Sequence, residues 1–133
     1  MIPFIIAIIF AYVTYELWKL DTAFEVFAWN QQAWFDKLDT KLEKAMLDEE
    51  VAEFQKALEE RDDVEVMDWA CDSIYIILGT LYKYWFTEQQ FVDCMDEVIK
   101  SNNSKLPFTR DENWKVKKWP NFIKPNIAQH LIP

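Results

Sequence analysis

The hydrophobic pattern is densest between Val64 and Lys83, where VEVMDWACDSIYIILGTLYK reads as one helix that is apolar almost all the way round. At about 100° per residue, Glu65, Asp68, Asp72 and Gly79 fall within roughly 60° of one another, opposite Val66, Met67, Ala70, Ile74, Ile77, Leu78 and Leu81. Carboxylates on a buried helix are costly unless a cation meets them, so the stripe asks for a metal or a basic partner. Upstream, Leu47, Val51, Phe54 and Leu58 repeat at i, i+4, i+7 and i+11, which predicts a helix from the Thr40/Glu43 capping box to about Glu60. The polar run Glu59 to Asp63 is the turn, with Asp62 or Asp63 as cap, so these two helices are expected to be antiparallel neighbours. A capping box at Asp21/Thr22 with Glu25 opens an earlier helix to about Phe35. Another at Thr87/Gln90 opens a helix over 88–101 whose Phe91, Cys94, Met95 and Val98 are expected to face inward.

Both ends depart from this helical text. Residues 1–15 carry no charge, and Ile2 to Val13 is nearly all large aliphatic and aromatic side chains. A spanning helix wants about 20 apolar residues, and there is no basic region or small-residue cleavage site of a signal peptide. The leader is therefore expected to be a helix buried in the fold or in an oligomer interface, with membrane attachment as the alternative. From Asn102 the text turns to prolines and lysines with little periodicity, a loop-rich tail expected to wrap over the helices.

The resulting expectation is all-α: a four-helix-bundle-type core, an extra apolar N-terminal helix (1–20) and a basic C-terminal tail (102–133), all in one domain of 133 residues. Composition agrees, with 51% hydrophobic residues, 17% aromatic and a single glycine. Charge adds an asymmetry: residues 1–99 hold 21 acids and 7 bases, residues 100–133 hold 2 and 7. That division suits acidic helices holding cations and a basic tail meeting an anion, and equally two halves that attract each other. The overall −9 speaks against general nucleic-acid binding. Cys71 and Cys94, without a CxxC or a neighbouring histidine, read as reduced core thiols in a reducing, cytoplasmic compartment.

The candidate chemistry is carboxylate chemistry. Glu49, Glu50 and Glu53 form EExxE on one helix, and Glu65, Asp68 and Asp72 lie on its neighbour, so pairs from facing helices can converge on a cation. Hard oxygen ligands without histidine or cysteine point to magnesium, or manganese, rather than zinc or copper. Two such ions polarise a phosphoryl oxygen and lower the pKa of a water nucleophile, while Lys100, Lys105, Lys117 and Lys118 offer charge for the remaining phosphates. A phosphate loop and a Ser/His/Asp set are absent from the sequence. In FAWNQQAWF, Trp29, Asn30 and Trp34 are either ordinary faces of an amphipathic helix or a surface that stacks on and hydrogen-bonds a nucleobase.

Taken in order, LDEEVAEFQKAL, EVMDWACDSIYIILGTL and EVIKSNNSKL resemble the MazG-like all-α nucleoside triphosphate pyrophosphatases, especially their short phage and bacterial forms. The resemblance covers about Ala45 to Pro125. It implies magnesium-dependent hydrolysis of (d)NTPs to monophosphate and pyrophosphate, in homodimers or homotetramers. It makes Glu50, Glu53 and Asp72 metal ligands, Glu49 a ligand or the base that orients water, and Asn102 and Lys105 contacts to phosphate or ribose, with Lys118 at the family's late lysine. The chain departs from the pattern at Trp69, where the family's ExxD has its first carboxylate. Asp68 or Glu65 is the candidate replacement. Ile99 and Trp119 replace a histidine and a glycine.

Overall fold

The structure is a computed structural model that describes residues 22–107, 109–117 and 122–131. The apolar leader and Lys118 lie outside the described residues. Four α-helices and no strand occur among the described residues, in keeping with the all-α expectation: α1 over 22–32, α2 Thr40–Glu60, α3 Asp63–Lys83 and α4 Glu88–Asn103, followed by a 3-10 turn at Ile127–His130. The chain divides into two compact units at Glu88/Gln89. The first holds α1 to α3, and nearly all of α4 belongs with the tail in the second.

Helix ends are set by local chemistry, although not always by the residues the sequence suggested. Asp39, not Thr40, caps α2: its Oδ1 accepts from the amides of Lys41 and Leu42 at 3.0 and 3.2 Å. Asp62 does the same for α3 through Val64 and Glu65, each cap contributing about 1 kcal/mol. Three helices end alike. Trp34, Arg61 and Trp85 follow α1, α2 and α3 in the left-handed region (φ 59°, 56° and 64°), and the next amide reaches back to Asn30, Ala57 and Leu81. Glycine usually holds this position, because a side chain strains the backbone there.

α2 and α3 pack along their lengths as antiparallel neighbours, with Ala57 buried where they approach. α1 lies against α3 in the opposite sense. Phe27 meets Tyr82 edge-on at 5.7 Å between ring centroids, and the buried Asn30 sits over Gly79, where a Cβ would lie 3.2 Å from its Nδ2. The single glycine is thus where the Asn30 side chain of α1 rests on α3. Ala23, Val26 and Phe27 of α1 and Leu78 of α3 complete this core.

α3 is less buried than its apolar text implies. Val64, Met67 and Ile74 are exposed, as are Val51 and Leu58 of α2, and Cys71 is exposed rather than a core residue. The reason is geometric: among the described residues of the first unit, α2 and α1 pack on two sides of α3 and not on the third.

In the second unit, Val92 and Ser101 are the buried residues of α4, while Met95 and Val98 of the expected inward face are partly exposed. The tail packs back on α4: the Asn126 amide donates to Glu97 Oε2 at 3.2 Å and the Ile123 amide to Ser104 Oγ at 3.0 Å. The Asn126 bond, then Lys100, hold the Glu97 carboxyl below its usual 4.5. A depressed carboxyl stabilises its contact above the unfolded value and loses it as pH falls through the lower, folded one. Protection of the Asn126 amide, taken relative to its intrinsic exchange at each pH, is therefore expected to fall as pH drops below the usual 4.5, and Glu97→Gln, which keeps the acceptor but not the charge, is expected to abolish that dependence. Unchanged acid sensitivity in the variant refutes the assignment.

Candidate active site

Where α2 packs on α3, the charges of Glu53 on α2 and of Asp68 and Asp72 on α3 reach Glu50 at the seam between the two helices. Glu50 is the most constrained. One of its carboxylate oxygens, Oε2, is buried without a hydrogen-bond partner. Burial, then the charges of Asp72, Glu49, Glu53 and Asp68, raise its pKa above the usual 4.5. An unpaired buried acceptor surrounded by four further carboxylates is a poor protein-only arrangement and a good one for a divalent cation.

Glu65 stands apart. Its Oε2 accepts from the Trp69 indole Nε1 at 2.9 Å, and it is not among the charges acting on Glu50, whereas Asp68 is. The tryptophan that departs from the sequence motif thus engages one of the two candidate replacements. Among the described residues, no three His, Cys, Asp or Glu side chains stand close enough together to form a ready-made ion site. Uncompensated like charges repel, so carboxylates without a cation between them are expected to splay.

Beside the seam is a cavity of about 210 Å³ lined by Trp29, Asn30, Phe35, Tyr75, Gly79 and Lys83, among others. Trp29 meets Phe35 at 5.6 Å and Tyr75 at 5.9 Å between centroids. The Asn30 amide is pinned by donating to the Val26 carbonyl at 2.9 Å. Trp29 and Asn30, singled out in the sequence, therefore share one aromatic pocket. Trp34 does not line it and is 84% exposed.

The same cavity reveals a group the sequence concealed. Glu43, read as a capping-box residue, is buried, with Lys83 Nζ at 2.6 Å and Thr80 Oγ1 donating at 2.8 Å. The only sequence signal was a lone lysine in the last turn of an apolar helix.

The remaining candidates belong to the second unit. Lys105 Nζ donates to Asn102 Oδ1 at 2.7 Å and lies 5.5 Å over the Phe122 ring, so these two residues are held together. Lys100 pairs with Glu97 at 3.3 Å.

A profile of the phosphoribosyl-ATP pyrophosphohydrolase family matches residues 27–102, more than half of the chain, from α1 to the end of α4. The chain belongs to that family. The phosphoribosyl-ATP pyrophosphohydrolases are a branch of the MazG-like all-α NTP pyrophosphatase superfamily that the motifs resemble. Membership makes the chain a hydrolase that cleaves a pyrophosphate linkage of a nucleotide. Neither a curated protein nor a solved structure matches the chain. Among the described residues no helix is long and apolar enough to cross a membrane.

Proposed function

We propose that this family member hydrolyses the bond between the α- and β-phosphates of a (deoxy)nucleoside triphosphate, giving a nucleoside monophosphate and pyrophosphate. The observation that carries this reading is the buried, unpartnered Glu50 oxygen, raised in pKa among Asp72, Glu49, Glu53 and Asp68 and set beside an aromatic cavity. Glu50, Glu53, Asp72 and Asp68 would hold magnesium or manganese. We prefer Asp68 to Glu65 because Glu65 is committed to Trp69. When bound, the ions neutralise phosphate charge and make a water more acidic. Glu49 is exposed beside the cluster. It orients the attacking water toward the α-phosphorus and takes its proton as the bond to the bridging oxygen breaks and pyrophosphate leaves.

Trp29, Phe35 and Tyr75 would enclose the base, with Asn30 as the polar contact. By motif alone, Asn102 and Lys105 contact phosphate or ribose, with Lys100 and Lys118 adding positive charge. The exposed apolar stripe of α3 and a groove of about 340 Å³ lined by Leu38, Leu47, Ile77, Leu81 and Tyr84 suit a second copy of the chain. The exposed free thiol of Cys71 suits a reducing cytoplasm.

The family's name supports a second substrate, phosphoribosyl-ATP, cleaved by the same chemistry. The cavity favours the simpler nucleotide, since its cation, Lys83, is bound to Glu43 rather than open to an additional phosphate. The test is one panel of (d)NTPs and phosphoribosyl-ATP with magnesium or manganese, scored for pyrophosphate against orthophosphate, with sedimentation of the same sample. Pyrophosphate from (d)NTPs and an assembly of at least two chains are expected. Direct release of orthophosphate refutes the reaction, preference for phosphoribosyl-ATP refutes the substrate, and a monomer refutes the assembly.

A further inference from the structure

We propose that Lys83 and Asn30 are specificity-determining residues that select bases carrying a carbonyl oxygen beside a ring N–H. Nucleotides of uracil, thymine, guanine and hypoxanthine are then taken, and those of cytosine and adenine are refused. This rests on the aromatic cavity being the base site of the proposed hydrolysis.

Lys83 supplies the donor. Its side chain leaves the last turn of α3 and lines the cavity with Trp29, Asn30 and Phe35. An ammonium has three N–H donors and no acceptor. Among the described residues, Nζ donates to Glu43 Oε1 at 2.6 Å and otherwise faces the Phe35 ring at 5.9 Å. Its charge is thus compensated while N–H capacity remains, a combination that suits a neutral acceptor better than an anion. A base carbonyl is such an acceptor. Glu43 does not reverse the preference by accepting from an exocyclic amine, because both of its oxygens are engaged, Oε1 by Lys83 and Oε2 by the Thr80 hydroxyl at 2.8 Å.

Asn30 supplies the acceptor. Its Nδ2 donates to the Val26 carbonyl at 2.9 Å, a contact that only the N–H end of the amide can make, so the orientation of the group is fixed by its chemistry. Among the described residues no donor meets Oδ1. A ring N–H next to a carbonyl complements this pair, the N–H toward Asn30 and the carbonyl toward Lys83. Cytosine and adenine present the reverse order: a bare ring nitrogen meets the Asn30 carbonyl and an amine meets the ammonium. Both contacts then fail together. Polar groups left unpaired in a buried site reject the wrong ligand far more strongly than a difference in size does.

The test pairs inosine with adenosine triphosphate and uridine with cytidine triphosphate, in ribose and deoxyribose forms, since each pair differs only at this edge of the base. Binding of the non-hydrolysable α,β-imido analogues to the full-length protein with magnesium is measured by calorimetry, and kcat/KM for pyrophosphate release is measured separately. The inosine and uridine members are expected to bind at least about tenfold tighter than their partners and to turn over with the same preference. Glu43→Leu with Lys83→Met, the apolar exchange that keeps the pair's volume, is expected to bring each ratio within about threefold, through KM. Equal binding within each pair, or a preference for the amino bases, overturns the proposal, and so does a parental ratio in the double variant. Pyrophosphate released from all four at equal kcat/KM overturns the base selection and keeps the hydrolysis. Preferential binding without pyrophosphate release does the opposite, and binding of none of the four overturns both.

Discussion

Lys83→Met is expected to lower stability by about 3–4 kcal/mol, the cost of leaving one partner of a buried ion pair uncompensated. Glu43 and Lys83 side chains are only 7% and 12% exposed. With the lysine removed, Glu43 retains the Thr80 hydroxyl and loses its countercharge. For a chain of 133 residues the melting midpoint is expected to fall by roughly 10 °C. Glu43→Leu combined with Lys83→Met is expected to recover most of the loss, since an apolar pair of similar volume avoids desolvating either charge. A melting curve for the single variant that overlays the parent would show the pair to be a solvated contact. Because both residues line the cavity with Trp29 and Tyr75, the single variant is also expected to raise KM before kcat.

Glu50→Gln is expected to reduce pyrophosphate release about a thousandfold, the consequence of losing several kcal/mol of metal-borne stabilisation of the transition state. The same substitution has a stabilising side. Glu50 takes up its proton more readily in the folded chain than at the ordinary 4.5. Its ionised form therefore opposes folding: the penalty is absent below pH 4.5 and develops as pH rises through the raised value. At pH 7 the metal-free glutamine variant is expected to melt no lower than the parent, and magnesium, which is expected to raise the parent's midpoint, is expected to leave the variant's unchanged. A variant with parental turnover, or with a parental response to magnesium, would remove Glu50 from the site.

The helices were legible because their information is local. Thr40–Glu60 and Asp63–Lys83 emerge from apolar periodicity and a polar turn, and EExxE faces the acidic stripe because a two-residue connection forces α2 and α3 antiparallel. Glu43 was misread for the same reason. Thr-x-x-Glu is the local signature of a capping box, yet its actual partner Lys83 lies 40 positions away, a separation that periodicity does not encode. Val64, Met67 and Ile74 read as buried because hydrophobicity reports that a face wants cover, not whether this chain provides it. The proposed preference for Asp68 over Glu65 rests on the Trp69 indole, whose bond to Glu65 depends on a rotamer.

Asn30 resting on Gly79 has an evolutionary consequence. A Cβ at position 79 would press on the Asn30 side chain, and both residues line the cavity. Substitutions at positions 30 and 79 can reshape what the pocket admits in small steps, while the carboxylates on the α2–α3 seam stay where they are. On the proposed assignment, selectivity and bond cleavage rest on separate residues, so the pocket can change while the carboxylates do not.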